Sequence, residues 1–216
     1  MVAQITEGTA YDRHGRPFLR RNYTPGIIAG VVLFVVTAII WTIALTRPSD
    51  VHEAVACNPP PGPSDPSQPA LGEQVSAKSM IDVAPAKLAD VKVRVLNASG
   101  QGGQAADIAG GLRDLGFGQP TAENDPLYAN TRLVCQGQLR FGRDGQAAAA
   151  AVWLVAPCVE LYQDQRTDNT VDLALGTEFK TLSHGDEIDA LLASLRPEAT
   201  AEPDLSLLPK IHLNAC

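Results

Sequence analysis

The sequence predicts an α/β fold: a small two-layer sheet-and-helix ectodomain in β-α-β-α-β-β-α order, placed after a single transmembrane helix. Three observations carry this reading. Gly26 to Leu45 is a run of twenty residues without a charge, which as a helix spans about 30 Å, the thickness of a bilayer core. Val91, Val93 and Val95 alternate with Lys92 and Arg94, the period of a strand with one buried face. Directly after it, Ala105, Ile108, Ala109, Leu112 and Leu115 fall at helical spacing.

Thr37 and Thr42 are compatible with the apolar run, because a helical Thr can hydrogen-bond to the preceding turn. Tyr23 and Trp41 sit near its two ends, where amphipathic rings favour the interface. Arg13, Arg16, Arg20 and Arg21 precede the run, whereas Arg47, Asp50 and Glu53 follow it. Basic residues stay on the cytoplasmic side, so residues 1–25 are expected inside as a disordered tail and everything beyond the span outside. The apolar stretch is too long for a cleavable signal core. Cys57 is separated from it by Arg47, Asp50 and Glu53, which argues against lipidation there.

The whole chain has 17 basic and 24 acidic residues. The first 25 residues hold four basic and two acidic ones, which leaves 13 basic and 22 acidic residues outside. That balance argues against nucleic acid as a partner. All four cysteines, Cys57, Cys135, Cys158 and Cys216, lie in the outer part, and none forms C-x-x-C. With scattered histidines this predicts no metal site and two disulfides. Three pairings are open to four cysteines. The favoured one is Cys57–Cys216 with Cys135–Cys158, the first tying the ends of the ectodomain together.

Residues 46–72 read as a Pro-rich linker, with six prolines between Asn58 and Gly72. The ectodomain proper is placed at 73–216. Pro85 excludes one helix through 73–90, and Ser79 to Val83 has the composition of a short strand. After the strand at Val91–Asn97 and the helix, Gly116 is placed to end that helix in a left-handed conformation with Phe117 folding back. Gly110 and Gly111 cost about 1 kcal/mol each against Ala in a helix interior, which implies close packing of that helix on the sheet. The segment from Gln119 to Thr131 reads as turns, and Arg132–Cys135 and Gln138–Phe141 as two short strands. Asp144 is positioned to cap an alanine-rich helix that Pro157 ends. Val159–Tyr162 and Val171–Leu175 follow as strands, and DEIDALLASL as a helix with acids in its first turn. The Pro-flanked stretch that ends at Cys216 reads as a tail.

The sharpest local motif is Gly100-x-Gly102-x-x-Ala105, with Glu123 about twenty residues on, as in a dinucleotide-binding turn. The unit is not repeated, and an outer compartment disfavours a nucleotide. The phosphate of an envelope lipid or polymer is the better candidate for a ligand turn formed by Ser99, Gly100, Gly102 and Gly103. No nucleophile–base set appears: Ser183 and His184 are merely adjacent, Asp186, Glu187 and Asp189 suit a helix start, and Arg140 and Arg143 read as ordinary surface.

The stretch VKVRVLNASGQGGQAADIAGGLRDLGF, followed later by VDLALGTEF, resembles the LytR C-terminal domain family over Val91 to Phe179. Ala98 stands where that family commonly has Gly, and Glu178 where Asp is usual. The resemblance implies an envelope module with no known enzymatic activity. In multidomain relatives it follows a LytR-CpsA-Psr catalytic domain that attaches polymers to peptidoglycan, and nothing in this chain resembles that domain. The resulting expectation is a non-catalytic, single-pass cell-membrane protein without a cofactor. It would support envelope integrity by binding a cell-wall polymer or an envelope protein. The alternative is an accessory to envelope polymer ligases that binds an envelope lipid or a polymer phosphate, with a cryptic hydrolase or transferase behind both.

Overall fold

The computed structural model describes residue 14 and residues 23–46, 56–62 and 70–213. Two units divide the chain, residues 1–48 and 49–216, and each is described by itself. In the first, helix α1 (Thr24–Thr46) is apolar on all sides and long enough to cross a membrane. Thr37 Oγ1 donates to the Leu33 carbonyl at 2.8 Å, and Thr42 bonds back to Ala38. The flanking charges that set the expected orientation, Arg13, Arg16, Arg20, Arg21, Arg47, Asp50 and Glu53, lie outside the described residues.

The second unit is built on one six-stranded sheet. Its strands are β1 (Glu73–Val75), β2 (Lys92–Asn97), β3 (Thr121–Asn124), β4 (Gly137–Phe141), β5 (Glu160–Gln163) and β6 (Thr170–Leu175), in the order β1-β5-β4-β6-β2-β3. Helix α3 (Gln104–Leu115) connects the parallel pair β2 and β3, and α4 (Gln146–Val155) the parallel pair β4 and β5. Strand β6 joins these two β-α-β units, running parallel to β2 and antiparallel to β4. Although β5 and β6 are consecutive in the chain, β4 lies between them.

Period-two alternation sorts each strand between two unlike faces. Val93, Val95, Leu139, Phe141, Leu161, Val171, Leu173 and Leu175 point to one side and are buried. There they pack with Ala105, Ile108, Ala109 and Leu112 of α3 and with α4 in one apolar core. All the helical cover described in this unit is on that side, so it has the two layers the sequence predicts. Helix α4 is buried over its whole run from Ala148 to Val155, because α6 (Leu207–Leu213) and the 3₁₀ turn Leu88–Asp90 pack against it as well.

Gly116 adopts φ 106° at the end of α3, and Phe117 donates its amide back to Leu112 at 3.1 Å and is buried. Several local expectations are corrected. Ser79–Val83 is not a strand; Ala77–Met80 forms the short helix α2, whose N-cap Ser76 accepts from the Ser79 amide. Arg132–Cys135 forms no strand, whereas Thr121–Asn124, read as turn, is the edge strand β3. Asp144 does not cap α4; it sits in a 3₁₀ turn and Gly145 precedes the helix. A Cβ on Gly111 would meet Leu182 Cδ1 at 3.2 Å, while one on Gly110 would meet nothing, so close approach to the sheet is not what these glycines provide. Asp186, Glu187 and Asp189 open α5 (Asp186–Ser194), where they oppose the positive end of the helix dipole. The segment 207–213, read as tail, is α6.

Helix α6 carries a buried ionisable group. His212 stacks on Trp153 with ring centroids 3.5 Å apart, and its Nδ1 has no hydrogen-bond partner among the described residues. Burial pushes its pKa down to about 4. The native state therefore resists protonation that the unfolded chain accepts near pH 6.5, so this contribution is complete above about pH 6.5 and is lost as pH falls toward 4. Between pH 7 and pH 5 the wild type is expected to lose about 2 kcal/mol more than His212→Phe, which keeps the stacking but cannot titrate. Urea unfolding of both proteins at the two pH values checks this, and parallel losses would refute it.

Candidate functional site

The other face of the sheet is polar. Arg94 on β2 is in register with Asp172 on β6, which is in register with Arg140 on β4 and through it with Tyr162 on β5. One step along, Leu96, Ala174, Gln138 and Glu160 form the next row. The strand alternation that buries valines on one side thus lines up charges on the other.

Asp172 is the centre of the first row. Arg94 grips it bidentately, Nε to Oδ1 at 2.7 Å and Nη2 to Oδ2 at 2.8 Å, and Arg166 Nη2 reaches Oδ2 at 2.7 Å. Arg166 also clasps Asp164, with Nε at 2.9 Å from both carboxylate oxygens. Burial opposes the charge on Asp172, but the bonds from Arg166 and Arg94 outweigh it and hold the carboxyl below its ordinary range. The same bond to Asp172 raises the pKa of Arg94, against the cost of burial.

A second set is deeper. Arg140 Nη2 lies 2.8 Å from Asp125 Oδ2, and the two side chains are only 4% and 0% exposed. The same nitrogen donates to Gln138 Oε1 at 2.8 Å, and Gln138 Nε2 donates to the Tyr128 hydroxyl at 3.3 Å. Asp125 Oδ1 accepts from the Leu127 amide, fixing the turn that follows. Arg140 is therefore structural and buried, not the surface residue the sequence suggests.

A strap covers this deeper set. In the described part of the Pro-rich segment, 56–62, the Asn58 carbonyl accepts from Tyr128 Oη at 2.7 Å and Asn58 Oδ1 accepts from the Val134 amide at 2.6 Å. The Cys57 amide donates to Glu160 at 2.9 Å, and Tyr162 donates its hydroxyl to the same carboxylate at 2.8 Å. Here the expected disulfide pairing is corrected: Cys57 is bonded to Cys135, not to Cys216. The strap lies along residues 128–135, so Cys135 is the cysteine within reach of Cys57. Cys158, no longer available to Cys135, is disulfide-bonded too, and Cys216 lies outside the described residues.

Beside the strap the polar face stays open. A cleft of about 560 Å³ lies between Arg94, Arg166 and Asp164 on one side and the chain at Ala70 and Gly72 on the other. A smaller cavity of about 140 Å³ shares Arg94, Asp164 and Arg166 with it and adds Leu96, Glu123 and Leu127. Gly72 has φ 85°, and a Cβ there would lie 2.4 Å from the Gln163 carbonyl oxygen, so only glycine brings the chain down onto the end of β5.

The glycine-rich turn stands between β2 and α3. The Gly100 amide donates to Asn97 Oδ1 at 3.1 Å and the Gln101 amide to Ser99 Oγ at 3.0 Å. Ser99 donates to Gln104 Oε1 at 2.6 Å, and Gln104 Nε2 donates to the Phe179 carbonyl. Two of the amides that could face an anion are thus bonded within the turn. Glu123 lines the shallow hollow beside Gly103. Gly100 and Gly103 have φ of 76° and 85°, while Gly102 has open space around it. Among the described residues no three His, Cys, Asp or Glu side chains are grouped as a metal ion requires.

Residues 90–179 match the family described as LytR cell envelope-related transcriptional attenuator. Over all 216 residues the chain is 68% identical to the Cell envelope integrity protein Cei of Mycobacterium tuberculosis, covering 100% of both. The crystal structure of the soluble domain of a conserved hypothetical secreted protein from Mycobacterium marinum is similar as well. It is 67% identical, covers 68% of this chain and 99% of its own, and superposes with a TM-score of 0.67.

Proposed function

From the premise that the chain belongs to the family of the Cell envelope integrity protein Cei, we propose that it is a membrane-anchored, non-catalytic protein of the cell envelope. In this reading α1 is the anchor, residues 1–25 are cytoplasmic, and the domain from residue 73 onward stands outside and binds a wall component or an envelope protein. The long apolar helix and the arginines that precede it support the anchor and its direction.

One observation carries the binding role over catalysis. Asp172, Asp164 and Asp125 are each paired with an arginine, and Asp172 is held below the ordinary carboxylate range. A general acid or base needs a pKa near the working pH, and Asp172, at the centre of the row, is moved in the opposite direction. The buried His212 stacks within the helix layer on the far side of the sheet. The open cleft is then a recognition surface held rigid by its own ion pairs.

The test uses the full-length chain in its native envelope, with a photo-crosslinking residue in place of the exposed Gln165. A discrete adduct with wall polymer or with an envelope protein is the expected result. Sustained cleavage or transfer of a wall polymer by the purified full chain, abolished by Asp172→Asn, would make it an enzyme and overturn the reading.

A further inference from the structure

Resting on that reading, we propose that the cleft between Arg94, Arg166 and the chain at Ala70–Gly72 binds a neutral, hydroxyl-rich ligand, a short saccharide segment of an envelope glycan. At about 560 Å³ the cleft is of the size that small-molecule sites have.

The lining then selects the chemistry. An anion such as phosphate is best held by guanidinium forks with free faces. Here the fork of Arg94 already closes on Asp172, and Arg166 is occupied by Asp164, Asp172 and Thr170. An incoming anion would also meet the carboxylates of Glu123, Asp164 and Asp168. A cation would meet Arg94 and Arg166. An apolar ligand would strip water from these charges and return nothing.

A hydroxyl group both donates and accepts, so it suits a lining of mixed sign. The lining keeps such groups unspent. Arg94 Nη1 has no hydrogen-bond partner among the described residues, since Nε and Nη2 take Asp172. Neither the Glu123 carboxylate nor the Gln165 side-chain amide has a hydrogen bond among the described residues, although the backbone of Glu123 pairs with β2. A sugar hydroxyl can accept from Arg94 Nη1, another can donate to Glu123, and the Gln165 amide serves either way. Leu96 and Leu127 in the adjoining cavity give the apolar face of a sugar ring a place to rest. The ion pairs beneath fix Arg94 before the ligand arrives, so little side-chain entropy remains to be lost on binding.

The experiment is co-sedimentation of the detergent-solubilised full chain with insoluble cell-wall glycan stripped of lipid and protein. Chitotetraose and inorganic phosphate serve as soluble competitors. The wild type is expected to sediment, and Arg94→Ala and Glu123→Gln each to weaken binding at least tenfold. Glu123→Gln is isosteric and exposed, and it lies in the smaller cavity that shares Arg94 with the cleft, so it reports on the site even if Arg94→Ala unfolds. Excess phosphate is expected to leave the complex intact. Equal sedimentation of wild type and both variants would overturn the cleft as the site while leaving the broader binding role standing. Release by phosphate would make it an anion site, and no sedimentation of the wild type would remove the glycan. Both results overturn the proposal, and the crosslinked adduct would then decide between a protein partner and none.

Discussion

Arg140→Ala is expected to destabilise the folded sheet-and-helix domain by about 3–5 kcal/mol, the cost of removing one member of a desolvated ion pair. The size follows from what remains. Asp125, with a side chain 0% exposed, would be left without its partner beside the void where the guanidinium had been. Gln138 Oε1 would lose its donor as well, and the Tyr128 ring would lose the cation lying 5.8 Å from its centre. Asp125→Asn is expected to be milder, because its amide oxygen can still accept from the Leu127 amide. The double variant Arg140→Met with Asp125→Asn should cost less than the two single losses combined, since no unpaired charge stays buried. Urea unfolding with a constant m-value measures the cycle. A loss below about 1 kcal/mol for Arg140→Ala would mean that water reaches the pair, which the strap is inferred to prevent.

That pair also marks where sequence reasoning stopped. The β2–α3 unit was legible because its signals are local: alternation of Val91, Val93 and Val95, helical spacing up to Leu115, and Gly116 as the stop. Strand order was not legible, since β6 inserts between β2 and β4 through contacts that no local period encodes. Strand β3 was missed because Thr121 to Asn124 is exposed throughout and lacks alternation; its pairing with β2 alone makes it a strand. Arg94, Asp172 and Arg140 each sat in readable strands, and the alternation placed Arg94 on the face opposite the valines. Only the register, with Arg94 and Arg140 both opposite Asp172, turns three separate polar residues into one network. A charged residue inside a strand of apolar neighbours, as Asp172 is in TVDLAL, was the available signal. The glycine turn shows the converse: its motif was legible, but its hydrogen bonds to Asn97 and Ser99 were not.

Loss of the Cys57–Cys135 bond is the other large expected effect. The bond closes a loop across a sequence separation of 78, for which the chain-entropy account gives about 4–5 kcal/mol, and observed losses usually reach about 2–4 kcal/mol. The double variant Cys57→Ser with Cys135→Ser is therefore expected to lower unfolding free energy by about 2–4 kcal/mol under oxidising conditions. Each single substitution should come close to the double, because either one removes the same bond. Such non-additivity separates this pairing from Cys57–Cys216, under which Cys135→Ser would break a different loop and the two losses would add. Non-reducing peptide mapping supplies the direct check, a linked peptide containing Cys57 and Cys135. The loss is bounded by the strap's other ties. Asn58 would still reach Tyr128 and Val134, and the Cys57 amide still reach Glu160, so the strap has native contacts to return to. The covalent bond mainly removes the extended states of an unfolded chain, while these hydrogen bonds set where the strap lies once folded. An additive double variant would refute the pairing. A non-additive loss near zero would instead show that the hydrogen bonds alone hold the strap over Arg140.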